Sequence, residues 1–164
     1  MTLAISEVWI ETNCRLKAGL KTVENMALSV KIALFCSGLF LLSGMLTGVW
    51  KYAKTMQSLE HRAPVYVDIA HRASFFYSFA SLVIARLIEF SPFGETWQTV
   101  IVAVPLLYFI LTVVGYIREG FLNRTENMFA ERNFVTTWFM YGLIAGEVGA
   151  FLLILGGFVY TQFF

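Results

Sequence analysis

The sequence predicts an all-α integral membrane protein: a bundle of four transmembrane helices with an N-terminal amphipathic helix lying in the interface. Two observations of composition and one of arrangement predict it. The chain of 164 residues is 58% hydrophobic and 14% charged, against ~45–50% and ~25% in a soluble domain. Four segments reach the ~20 mostly apolar residues that a membrane-spanning helix needs: 30–52, 69–90, 97–117 and 135–160. The charges gather between these segments rather than within them.

Residues 4–28 come first. Ile5, Trp9, Leu16, Leu20, Val23 and Ala27 recur at helical spacing, while Glu11, Lys17, Lys21 and Glu24 fall mostly elsewhere on the wheel. That pattern predicts a helix lying along the bilayer surface with Trp9 as its anchor. The first span, 30–52, carries Gly44 and Gly48 in GMLTG, a small-xxx-small pattern that lets another helix approach closely. The second and third spans are joined by SPFGET, whose Pro92 and Gly94 mark a tight turn. They therefore form a hairpin. Pro105 inside the third span predicts a kink, with the freed carbonyl satisfied by a neighbour. The fourth span holds Gly142, Gly146 and Gly149, read as packing glycines, and one acid, Glu147. No internal repeat or low-complexity tract divides the chain, so 1–164 reads as one domain.

Orientation follows from lysine and arginine placement. Lys51, Lys54, Arg62, Arg72, Arg118, Arg124 and Arg132 fall on one side, and Arg15, Lys17, Lys21 and Lys31 on the other. The bias predicts cytoplasmic loops at 53–68 and 118–134. The sequon Asn123–Arg124–Thr125 then faces the cytoplasm and reads as coincidence. A net charge of +1 gives no argument for a nucleic-acid partner. Cys14 and Cys36 do not read as a disulfide framework, because Cys36 lies within an apolar run.

The second span is the most informative. On a wheel of 100° per residue, Asp68, Arg72, Phe75, Phe79, Leu82, Arg86 and Glu89 form one stripe. His71, Ser74, Ser78, Ser81 and Ala85 form a second beside it. Ile69, Ala73, Phe76, Tyr77, Ala80, Val83, Ile84 and Leu87 occupy the rest and read as the lipid face. Both polar stripes then face protein, where the serines can bond across a helix contact. An ionisable group at membrane depth costs a few kcal/mol or more unless paired. Glu147 is therefore the expected partner of Arg86, with Glu89 one turn away able to share it (i, i+3). Such a pair is either a register device or the working part of a proton or ion path.

Glu60, His61, Asp68 and His71 cluster at the mouth of this span. Asp68 reaches His71 and Arg72 along one face, which predicts an interfacial polar cluster of His61, Asp68, His71 and Arg72. A metal site from His61, Asp68 and His71 lacks a tight motif. A haem would want two histidines facing each other within the bundle. No metal and no cofactor is expected, and no phosphate loop, GxSxG or HExxH occurs. The expected function is a non-enzymatic subunit in the lipid bilayer, associating with further copies of itself or with other membrane subunits. The alternative is an ion- or proton-coupled transporter or channel built on Arg86 and Glu147. A metal- or haem-dependent redox protein using His61 and His71 stands behind both.

Overall fold

A computed structural model gives the fold and describes residues 26–128, 130 and 134–164. The expected amphipathic helix at 4–28 lies outside the described residues except for its last three. Four α-helices follow one another: α1 (Leu28–Gln57), α2 (Val65–Ile88), α3 (Glu95–Leu122) and α4 (Met140–Phe163). A π-helical turn, Val135–Phe139, leads into α4. No strand occurs among the described residues.

Three helical stretches are long and apolar enough to cross a membrane: Leu28–Gln57, Glu95–Leu122 and Thr136–Phe163. The fourth expected span, at 69–90, is α2, and it does not reach that standard. Its length suffices, since 24 residues at 1.5 Å each extend ~36 Å against a ~30 Å hydrocarbon core. Its polarity is the reason it falls short: Arg72, Arg86, His71 and the serines at 74, 78 and 81 dilute its apolar residues.

α2 makes its most extensive contact with α1, and small residues set that contact. A Cβ added at Gly44 would meet the Phe75 ring at 3.2 Å, and one added at Gly48 would meet His71 Cε1 at 2.8 Å. Ser37 Oγ donates to the Ser78 carbonyl at 2.9 Å, and Ser78 Oγ donates to the Ser37 carbonyl at 2.9 Å. Ser43 and Ser74 hydroxyls meet at 3.3 Å. Hydroxyl-to-carbonyl bonds of this kind hold helices together where apolar burial supplies little drive. The wheel placed the serine stripe inward, and Ser74, Ser78 and Ser81 are buried.

The charged stripe is a correction. Arg72, Phe79, Leu82 and Arg86 lie on the outside of the bundle, while Tyr66, Val67, Ala70, Ile84 and Ile88 are buried. The buried face also carries Ser74 and Ser78, and the two serines bond to α1. The long cations can remain outside and extend their heads along the helix.

The core runs through Val30, Ala33 and Phe40 of α1, Ile84 and Ile88 of α2, Val102, Leu106 and Phe109 of α3, and Ala150 and Ile154 of α4. Phe40, Tyr77 and Phe109 form an aromatic tier, with the Tyr77 and Phe109 rings stacked at 4.2 Å. Polar contacts close both ends. At one end Gln98 Nε2 donates to the Phe93 carbonyl at 2.8 Å and holds the α2–α3 turn. The Leu28 amide, an orphan donor at the start of α1, reaches Glu95 Oε1 at 3.2 Å. Thr161 Oγ1 of α4 donates to the Phe90 carbonyl at 2.6 Å. At the other end the Met128 amide donates to Tyr66 Oη at 2.5 Å. Asn123 there ends α3 in the left-handed region, φ 45°, where a short polar residue is tolerated.

Candidate functional site: an acid between α2, α3 and α4

Glu147 sits near the middle of the Thr136–Phe163 stretch. On its own helix Ala150, Ile154 and Gly157 are buried in the bundle, while Val148 and Leu152 face outward beside it. Glu147 lies on the flank between these faces. Glu147, Val148 and Leu152 line a groove of about 380 Å³ together with Ala80 and Val83 of α2 and Phe109 of α3. Glu147 Oε1 is buried and has no hydrogen-bond partner. Among the groove-lining residues, Glu147 is the only ionisable one.

The expected Arg86–Glu147 bridge does not form. Arg86 pairs instead with Glu89, one turn along its own helix, and its guanidinium lies 4.7 Å from the centre of the Phe90 ring. The Arg86 side chain is 69% exposed and belongs to the last turn of α2. Two local partners at the end of a helix satisfy it there, so it need not reach into the bundle. The Arg86–Glu89 half of the predicted charge group is present, and Glu147 stands apart from it.

The polar cluster at the other end is partly assembled. Asp68 binds Lys51 at 2.5 Å and Arg72 at 2.7 Å. The Lys51 hydrogen bond, aided by the Lys51, Arg72 and His71 charges, holds the Asp68 carboxyl below its usual range against the opposing effect of burial. His71 turns inward, with Nδ1 2.8 Å from the Gly44 carbonyl oxygen. His61 lies in the exposed loop before α2 with φ 52°. No group of three or more possible metal ligands occurs among the described residues.

The glycines of α4 divide into two sets. A Cβ at Gly146 would come within 2.4 Å of Tyr108 Cε2, and one at Gly142 would sit 3.5 Å from Tyr108 Oη. Gly149 has open space where its Cβ would be, as does Gly156. Gly149 is half-buried, but no atom of the bundle stands where its side chain would be.

Tyr77, expected on the lipid face, instead packs against the core, and Thr112 and Tyr116 were not singled out in the sequence. Tyr77, Thr112 and Tyr116 line a second cavity of about 280 Å³ together with Gly115, Met128 and Phe139. Thr112 Oγ1 is buried beside the Tyr77 hydroxyl. Glu147 is within electrostatic range of both Tyr77 and Tyr116. The signal available in the sequence was two tyrosines inside apolar spans, since a buried phenol normally seeks a polar partner.

No protein-family model, no curated protein and no solved structure matches this chain.

Proposed function

We propose that the chain is a four-span integral membrane protein acting as a non-enzymatic subunit of a membrane assembly, made with further copies of itself or with other membrane subunits. In this reading α2 is the fourth span. It keeps its serines on α1 and delivers Arg86 to the headgroup level, where a long cation can reach water. The connections 58–64 and 123–134 face the cytoplasm, as the lysine and arginine bias favours.

The observation that carries the proposal is the outward face of α4. Ala145 and Gly156 are exposed and Gly149 is half-buried. Nothing approaches where a Cβ would stand at either glycine. Spacings of four and seven place the three on one stripe, and small stripes of this kind are where membrane helices dock. The glycines that serve the bundle, Gly44, Gly48 and Gly146, are already engaged. Gly38 and Gly115 are open as well, but the α4 stripe joins three small residues on one face. Native mass in nanodiscs after mild solubilisation tests this. A stoichiometric oligomer or co-purifying subunit supports it, and a monomer under all mild conditions refutes it.

A second reading, a proton or ion path through Glu147, draws on the unpartnered Oε1 and on the nearby Tyr77 and Tyr116. Arg86 drops out of that path because Glu89 and Phe90 hold it. Proton flux in liposomes, compared between the native chain and Glu147→Gln, tests it.

A further inference from the structure

We propose that the groove beside Glu147 is a binding site for small hydrophobic ammonium compounds, protonated amines bearing an aryl or alkyl group. The proposal concerns a ligand and does not depend on the subunit reading. It shares Glu147 with the path reading, and the measurements below keep the two apart.

Three properties of the groove select this chemistry. The first is the bare acceptor. A buried carboxylate oxygen without a donor is costly, and Glu147 Oε1 has none. What completes it must donate a hydrogen bond and gains further from positive charge, because a charge-assisted bond is roughly twice as strong as a neutral one. Arg86 is engaged by Glu89 and Phe90, and the phenols of Tyr77 and Tyr116, though within electrostatic range of Glu147, make no hydrogen bond to Oε1.

The second property is the apolar remainder. Ala80, Val83, Phe109, Val148 and Leu152 surround the acid, so the occupant must be hydrophobic apart from its cationic head. Phe109 contributes a ring, and aromatic faces attract ammonium groups. A small inorganic cation is disfavoured by the same lining. It needs several oxygen ligands, and here Glu147 supplies the only carboxylate.

The third is access and size. Val83, Val148 and Leu152 are each about half exposed, at 49%, 54% and 60%, so the groove opens sideways on the outer, apolar surface of the bundle. A hydrophobic amine dissolved in the bilayer could enter without crossing the helix bundle. The volume of about 380 Å³ falls within the ~300–1,000 Å³ typical of small-ligand sites.

Phenethylamine is the probe, with 2-phenylethanol as its uncharged counterpart of similar shape. Binding to the purified chain in nanodiscs is measured by equilibrium dialysis, with empty nanodiscs subtracted. The native chain should bind phenethylammonium saturably, and Glu147→Gln should weaken that binding ~10–100-fold, the range expected for one charge-assisted bond. Binding of 2-phenylethanol should change less than ~3-fold, since it makes only an ordinary hydrogen bond. Val83→Trp fills the groove and leaves the carboxylate in place, so it should also abolish amine binding, and it decides the matter if Glu147→Gln fails to fold. No saturable amine binding by the native chain overturns the proposal. So does equal weakening for amine and alcohol, or a Val83→Trp chain that still binds. A photo-crosslinker at Leu152 that captures a protein chain in stoichiometric yield also overturns it, because the base is then a partner's side chain. Proton flux that depends on Glu147 without amine binding supports the path reading and refutes this one.

Discussion

His71 Nδ1 lies 2.8 Å from the carbonyl oxygen of Gly44, a residue one helix earlier. A carbonyl can only accept, so Nδ1 must carry the hydrogen. The ring reaches that oxygen because Gly48, one turn further along α1, leaves room for it: a Cβ there would stand 2.8 Å from His71 Cε1. Glycine and histidine thus form one device that brings α1 and α2 together. Gly48→Ala should destabilise the fold by about 1–3 kcal/mol, the usual range for overpacking. His71→Ala in the same chain should relieve most of the clash. Thermal melting in detergent of the two single variants and the double variant reads the coupling. If the losses simply add, the two residues do not share this contact.

Asp68 predicts a pH response. Lys51 first, and Arg72 and His71 after it, hold its carboxyl below the usual carboxylate range in the folded state. A group depressed on folding stabilises the fold above its unfolded pKa, and that stabilisation is lost as pH falls through the folded value. Stability should therefore fall on acidification below about pH 4, the unperturbed carboxylate range. Asp68→Asn should remove this part of the acid response and cost no more than about 1 kcal/mol near neutrality, because the pairs are partly exposed. Melting temperature measured from pH 7 to pH 3 for both chains checks it; an identical acid response in the variant would sink the assignment.

Arg86 and Glu147 should behave independently. Arg86 is held by Glu89 and Phe90, and Glu147 Oε1 has no partner. Arg86→Met and Glu147→Leu should then add within about 0.3–0.5 kcal/mol, as sites without shared partners do. Glu147→Leu should be neutral or stabilising, since it removes a buried acceptor that lacks a donor. Recovery of an Arg86→Met loss by adding Glu147→Leu would instead mean that the two side chains meet in the folded chain.

What could be read in advance follows from the physics of each signal. Hydropathy and length located the helices, and their bounds moved outward by two to five residues at most ends, as with 30–52 against Leu28–Gln57. The greatest lengthening, five residues, occurs at both Gln57 and Leu122, where polar last turns continue beyond the apolar runs. The serine stripe of α2 was legible because its spacing is helical and its side chains are small. The direction of the neighbouring stripe was not. Phe79 and Leu82 are as apolar as Val67 and Ile84, and in lipid neither pair is driven inward by hydrophobicity alone. Close fit decides it: Phe75 and His71 turn onto Gly44 and Gly48 of α1, and Val67 turns onto Gly120 of α3. The Arg86–Glu147 expectation failed for a similar reason: a distant acid was weighed by depth, while a local acid at i+3 and the Phe90 ring were already within reach. The groove beside Glu147 depends on three helices at once and has no periodicity to betray it.

The two kinds of glycine on α4 give the last prediction, and they separate folding from assembly. Gly146 faces Tyr108, whose Cε2 would lie 2.4 Å from an added Cβ. Gly146→Ala should therefore push the Tyr108 ring and lower stability by about 1–3 kcal/mol. Gly149 and Gly156 have nothing within 4 Å of that position. Gly149→Leu together with Gly156→Leu should leave the melting temperature of the isolated chain nearly unchanged. If a partner helix docks on this stripe, the same pair of leucines holds it off, because close backbone approach is what small residues permit. Native mass in nanodiscs should then show the double variant folded but dissociated, and Gly146→Ala less stable but still assembled. A double variant that assembles like the native chain removes the outward stripe as the docking face. One that fails to fold shows that the stripe serves the bundle itself. The contrast needs both measurements on both variants, since either alone would confuse a weakened fold with a lost partner.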